Sequence, residues 1–211
     1  MCRLLYARAS QPFSISGLLE PFAELSRNSR EYQGHGWGCS WWADGQWHYY
    51  HHIDPVWEDD FSRFDETTLL LVHARSAFRD EGIVIENNMP FSDRDSVFIF
   101  NGELRGVKIK SEGRIGAEKI YNYIRRFDRG DKLAALDKAV GIIKKRSAYV
   151  RAMNIILSDG EQSCLSSSYS EDPEYFQMHQ IKTTAMHLVC SQPFAGESGW
   201  TAIDNNTTIL L

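Results

Sequence analysis

The chain has 211 residues, of which 43% are hydrophobic and 12% aromatic, enough for one core and too apolar for a disordered polymer. Its net charge of -5 excludes a global pull toward nucleic acid or an anionic membrane surface. The basic clusters Arg125-Arg126 and Lys144-Lys145-Arg146 fall late in helical stretches, where cations complement the helix dipole.

Leu69–Val72 and Val97–Phe100 are among the longest apolar runs, far short of the ~18 residues a membrane span needs. The apolar opening is broken by Arg8, so it is no secretory signal. Four scattered cysteines (Cys2, Cys39, Cys164, Cys190) without a C-x-x-C pair predict reduced thiols and a cytoplasmic protein.

In chain order, a strand is predicted at Arg3–Tyr6 and a helix from about Ser16 to Ser26, with Pro21 inside it. Four hairpins are then predicted from their turn residues. Asp44-Gly45 joins Cys39–Ala43 to Gln46–Tyr50, and Asn101-Gly102 joins Val97–Phe100 to Glu103–Ile109. Asp159-Gly160 joins Met153–Ser158 to Glu161–Ser167, and Asn205-Asn206 joins Trp200–Asp204 to Thr207–Leu211. Further strands are predicted at Thr68–His73 and His187–Cys190. Ala117, Ile120, Tyr121, Ile124 and Phe127 share one helical face, and Leu133, Leu136, Val140 and Ile143 another. Gly130 separates the two, with Asp131 as the second helix's N-cap. The sum is a single α+β domain over residues 1–211, antiparallel sheet with two or three helices on it.

Several residues are candidates for chemistry. Removal of Met1, which a small second residue permits, leaves Cys2 with a thiol and a free α-amine. An α-amine with an ordinary pKa of ~7.7–8.0 takes up a thiol proton near neutrality, where a lysine does not. Asn101-Gly102 offers a side-chain amide and a backbone N–H for a developing oxyanion. Arg75, in His73-Ala74-Arg75 at a strand end, presents a planar fork to a carboxylate. Gly36, Trp37 and Gly38 lie in a glycine-rich stretch that lets backbone approach a ligand. His48, His51 and His52 are no metal site: in a strand, His48 and His52 are about 13 Å apart and His51 points to the other face.

The order of these segments carries a resemblance. Met-Cys-Arg-Leu-Leu, then Gly-Trp-Gly, His-x-Arg-x-Ala, Asn-x-x-Pro-Phe and Phe-x-x-Asn-Gly-Glu-Leu resemble the stand-alone class II glutamine amidotransferases. These are N-terminal-nucleophile hydrolases, among them γ-glutamyl hydrolases such as the one of ergothioneine biosynthesis. Late segments, Leu157–Glu161, Ser191–Phe194 and Trp200–Leu211, extend the resemblance over nearly the whole chain.

The resemblance implies a four-layer αββα sandwich, with two antiparallel sheets between helices. It implies Cys2 as nucleophile with its α-amine as base, and Asn101 and Gly102 as oxyanion hole. Arg75 would hold the substrate's α-carboxylate, and Gly36, Trp37, Gly38 and His73 would belong to the binding pocket. The substrate is expected to be a small γ-glutamyl compound, with no cofactor. No synthase domain follows within the 211 residues, so hydrolysis, or ammonia delivery to a separate enzyme, is expected. Two positions depart from the family pattern. Met89 stands where relatives have histidine, and Gly116 stands where they have an aspartate that binds the substrate's α-amine. Either Glu118 or another acid compensates, or the substrate is not free glutamine, or activity is lost. The alternative reading is therefore a weakened or inactive amidotransferase-fold binding or regulatory protein.

Overall fold

The computed structural model describes residues 1–93 and 96–211. Among the described residues the elements are, in chain order, β1 (Arg3–Ser14), α1 (Ile15–Arg27), β2 (Trp37–Ala43), β3 (Gln46–His52), β4 (Glu66–Ala74), β5 (Phe91–Ser92) and β6 (Val97–Arg105). There follow α2 (Gly116–Arg125), α3 (Lys132–Lys145), β7 (Tyr149–Ser158), β8 (Ser163–Ser167), α4 (Pro173–Phe176), β9 (His179–Lys182), β10 (Met186–Cys190), β11 (Thr201–Ala202) and β12 (Thr207–Leu210). The chain forms two compact units, Met1–Pro90 with Met178–Ile203, and Phe91–Gln177 with Asp204–Leu211.

The first unit holds a seven-stranded antiparallel sheet in the order β11-β9-β10-β1-β4-β2-β3. Helix α1 starts where Ser14 Oγ accepts from the Gly17 N–H at 3.1 Å. Its Ile15, Leu19 and Phe22 join Leu5, Ala7, Trp37, Cys39, Leu70 and Val72 in one buried cluster. The strand residues of that cluster alternate along β1, β2 and β4, so one face of the central strands is set against α1. Pro21 leaves the Gly17 carbonyl without its helical donor, yet α1 continues to Arg27. Packing of Leu19, Phe22 and Leu25 outweighs the lost bond.

The second unit holds a five-stranded antiparallel sheet, β12-β8-β7-β6-β5. Its helix α3 packs on β7, β8 and β12 and against α2, and Asp131 caps it by accepting from the Ala134 N–H at 2.9 Å. The break before it is Gly130, at φ 95°. Among the described residues no helix is long and apolar enough to cross a membrane.

Two of the four predicted hairpins form: β2–β3 turns at Asp44-Gly45 as expected, and β7–β8 turns across Asp159–Gln162, a loop two residues longer than expected. Asp44 and Gly45 both take positive φ, 54° and 73°. Asn101-Gly102 is not a turn. It lies inside β6, which runs on to Arg105, with Asn101 opposite Asn154 and Gly102 opposite Met153. Neither residue takes the positive φ a tight turn requires, and pairing along β7 decides the backbone over local turn preference. Asn205-Asn206 does turn, with Asn206 at φ 59°, but β11 pairs with β9 and β12 with β8, so the two strands enter different sheets. The helix α4 and the strand β9 carry no sequence signal that was read.

Gly102 is required by the sheet itself. A Cβ there would meet the Ala152 carbonyl oxygen at 2.2 Å and the Phe100 ring at 2.7 Å. Gly102→Ala is therefore expected to destabilise the fold by about 2 kcal/mol through overpacking, read as a lower thermal midpoint. An unchanged midpoint would mean that the Ala152 backbone yields freely.

Candidate active site

Strand β4 is the centre of the candidate site, because β1 and β2 pair on either side of it. Arg3 and Trp37 both oppose Ala74, so the next residue of β4, Arg75, comes between Cys2 and Gly36. The Arg75 N–H donates to the Gly36 carbonyl at 2.9 Å, and the Arg75 carbonyl accepts from the His35 N–H at 3.1 Å. On the other side the Cys2 thiol lies 3.7 Å from the Ser76 carbonyl oxygen, and the Ser76 N–H points at Cys2 Sγ at 3.5 Å. Burial pushes the Cys2 thiol pKa up; the N-terminal ammonium, the Ser76 N–H and the Arg75 cation act against it, and Glu31 adds to it.

Arg75 is buried, at 5% exposure. Its guanidinium donates to the Gly82 carbonyl at 2.8 Å and to Asn88 Oδ1 at 3.4 Å. No carboxylate pairs with it among the described residues, although a guanidinium has five N–H donors. Asn88 is itself held by its Nδ2 donating to the His52 carbonyl at 2.8 Å. It fits there because Gly36 has no side chain: a Cβ would come within 2.1 Å of Asn88 Nδ2, and Gly36 also sits at φ 98°. Gly38 is a second close approach, with the Met89 carbonyl 2.6 Å from its would-be Cβ. The glycines of this stretch thus make room for the Asn87–Met89 segment, which in turn steadies Arg75.

Strand alternation sorts the remaining residues. His73 is fully buried and shares the face of Arg75, Gly36 and Gly38. Trp37 turns to the opposite face. It is wholly buried in the α1 cluster, with its indole N–H donating to Asp59 Oδ2 at 3.0 Å, so the structure does not bring its side chain to Arg75. Ser76, Gly82, Glu31 and Gln33 escaped the sequence reading; Ser76, next to His-Ala-Arg, was the one within reach of a motif. His35 takes the Ala77 N–H on Nδ1 at 2.9 Å, and its Nε2 lies 3.5 Å from Asp80. Neither ring nitrogen is left to serve the Cys2 thiol.

The three histidines of β3 have separate duties. His48 stacks on Trp41, His51 Nε2 is 3.0 Å from the Pro90 carbonyl, and His52 stacks on Tyr50.

Asn101 and Gly102 belong to the second unit. Asn101 is completely buried, and neither Nδ2 nor Oδ1 has a hydrogen-bond partner among the described residues. Its cross-strand neighbour Asn154 gives no help: Asn154 Nδ2 donates to the Phe176 carbonyl and its Oδ1 accepts from Ser167, both at 2.8 Å. Met153 exchanges both backbone hydrogen bonds with Ser168, at 2.7 and 3.2 Å. The pair Gly102–Met153 is then the non-hydrogen-bonded kind, and the Gly102 N–H faces away from β7. On that side β5 reaches only Val97 and Phe98. Two consecutive donors, one side-chain and one backbone, are thereby left without acceptors among the described residues. A buried polar group left so costs about 1–3 kcal/mol, a cost borne where a ligand supplies the partner.

At the start of α2, the Cβ direction of Gly116 is open space. Glu118 is held by Arg114, accepting from its backbone N–H at 2.5 Å and from its guanidinium at 2.6 Å. Those bonds hold its carboxyl below the ordinary carboxylate range. Glu118 is thus engaged and does not fill the place of a carboxylate at position 116.

No family model and no curated protein sequence matches the chain. Its likeness is to solved structures. A glutamine aminotransferase class-II domain protein from Silicibacter pomeroyi aligns at TM-score 0.67 and 15% identity, over 99% of this chain and 94% of that one. A predicted glutamine amidotransferase from Pseudomonas aeruginosa aligns at 0.63 and 14%, over 99% and 96%. Glutamine phosphoribosylpyrophosphate amidotransferase from B. subtilis, complexed with ADP and GMP, aligns at 0.72 and 11%; there the chain spans 47% of the larger protein. At such identities the likeness speaks for the fold. The chain therefore has the α+β fold, with two antiparallel sheets and helices, that these glutamine amidotransferase structures share.

Proposed function

We propose that the protein is an amidohydrolase that cleaves a γ-glutamyl amide bond, of glutamine or a γ-glutamyl compound, through a thioester on Cys2. The observation that carries this reading is the Cys2 thiol set by the β1–β4 register beside a buried Arg75 that has no carboxylate partner among the described residues. A carboxylate-bearing substrate supplies the missing partner and is held with its far end at the sulfur.

The reaction needs Met1 removed. The Cys2 α-amine then takes the thiol proton, and the thiolate attacks the γ-amide carbon. We assign the tetrahedral oxyanion, by residue type, to Asn101 Nδ2–H and the Gly102 N–H as donors. The intermediate collapses as the α-ammonium returns its proton to the leaving nitrogen, releasing ammonia or an amine. Water, deprotonated by the same amine, attacks the thioester and frees the γ-carboxylate and the thiol. Delivery of the ammonia to a separate enzyme is a compatible use of the first half-reaction.

The direct test is intact mass followed by labelling with an electrophilic glutamine analogue. The expected result is loss of Met1 and one adduct at Cys2. A retained Met1 in the active protein, or no adduct, overturns the reading. Arg75→Lys is expected to raise KM for glutamine about tenfold or more with kcat less affected, because lysine keeps the charge and loses the planar fork. Unchanged KM would remove Arg75 from the carboxylate site.

A further inference from the structure

A γ-glutamyl substrate with a free α-amine is a zwitterion at that end. Arg75 answers its carboxylate, and its ammonium requires an anion. Three acids close in sequence to the candidate residues are engaged: Asp80 faces His35, Glu103 pairs with Arg105 and Arg151, and Glu118 binds Arg114. The segment before β2 offers a different arrangement. The Met1 ammonium is ion-paired with Glu31 Oε2. The Met1 carbonyl accepts from Gln33 Nε2 at 2.7 Å, and the same nitrogen donates to the Glu31 carbonyl at 2.7 Å. Gln33 is completely buried, and the Glu31 side chain is one-third exposed. An α-ammonium and the carbonyl next to it, the two polar marks of an amino-acid end, are thus gripped by residues two apart in the chain. This grip lies beside the thiol: Met1 is bonded to Cys2, and the Cys2 sulfur meets the backbone of Ser76, the residue next to Arg75.

We propose that Glu31 receives the substrate's α-ammonium, and that Glu31 and Arg75 together make the site selective for a free α-amino acid carrying an ω-amide, against des-amino or N-acylated analogues. The proposal rests on the hydrolase reading above. In the unprocessed chain Met1 occupies Glu31 with its own ammonium. Hydrolysis of the Met1–Cys2 peptide by an aminopeptidase consumes one water and releases methionine. That single cleavage frees the Cys2 amine and withdraws the competing ammonium from Glu31. Glu31 is in this scheme a specificity residue, because it binds the substrate end remote from the bond that breaks.

The experiment uses mature protein, with Met1 removal verified by mass, and compares L-glutamine with glutaramate, the same amide lacking the α-amine. Glu31→Gln is expected to lower kcat/KM for L-glutamine at least 30-fold, mainly through KM, and to leave glutaramate within twofold of wild type. Equal losses on both compounds would mean that Glu31 acts on Cys2 and would overturn the proposal, as would no loss on either. Binding separates this from the hydrolase reading. The mature Cys2→Ala protein is expected to bind L-glutamine in calorimetry, and Cys2→Ala with Glu31→Gln to bind it at least tenfold more weakly. That pattern without turnover by the wild-type protein would sink the hydrolase and leave the ammonium site standing. Equal binding by the two variants, or no binding by Cys2→Ala, would overturn the site.

Discussion

Cys2→Ala is expected to lower glutamine turnover by at least ~10³-fold while leaving the fold intact. In the proposed mechanism the sulfur forms and breaks the covalent bond to the acyl carbon, and no other group of the site is assigned that step. The structural cost is small. Cys2 stands just before β1, and its thiol makes only weak contacts, at 3.5 and 3.7 Å, with the Ser76 backbone. Circular dichroism and thermal midpoint are therefore expected to match wild type. A pH profile adds a second reading of the same mechanism. Burial pushes the thiol pKa up, so the sulfur is protonated near neutrality and needs a base. With the α-amine as that base, kcat/KM rises with pH through the amine's range, about 7.7–8.0 in an unperturbed α-amine. A profile flat from about pH 6 to 8 would mean a preformed thiolate and no role for the amine. Residual turnover near the wild-type rate in Cys2→Ala would end the thioester mechanism altogether.

Asn101→Ala is the second large effect, and its signature is divided. In the proposed mechanism Asn101 is one of two oxyanion donors, and loss of one costs about 10²–10³ in kcat, with KM little changed, because the oxyanion exists only after attack. Stability is expected to move the other way or not at all. The native amide is fully buried with both polar atoms unpartnered, so its removal lifts a desolvation cost that offsets the small cavity left behind. Lower kcat with an equal or higher thermal midpoint identifies a group held for function at the expense of the fold. A drop in stability with unchanged kcat would show Asn101 to be a packing residue.

Local signals in the chain were sound where the chemistry is local. Asp131 caps α3 because its carboxylate reaches an N–H three residues on, and Asp44-Gly45 turns because both residues accept positive φ. Asn101-Gly102 has the same turn chemistry and adopts none of it. Its conformation is set by Asn154 and Met153, some fifty residues away, and by the Ala152 carbonyl that excludes any side chain at Gly102. The proposed donor role of the two residues rests on residue type and does not require a turn. Trp37 shows the reverse case. In Gly-Trp-Gly the first glycine pairs by backbone with Arg75, but strand alternation puts the tryptophan on the other face and into the α1 core.

By itself the sequence determined the α+β class and the Asp131 cap of α3, and it singled out Cys2, Arg75 and Asn101-Gly102 as candidates. Each of these follows from what a residue or its near neighbours can do chemically. Only the tertiary structure decided that the end of β4 presents Arg75 between Cys2 and Gly36. It alone decided that Asn101 is buried without a partner, that Glu118 is spent on Arg114, and that Glu31 and Gln33 grip an α-amino end beside the thiol. The reason is that register and burial are set by pairing between distant segments, and no local stretch of chain carries that information.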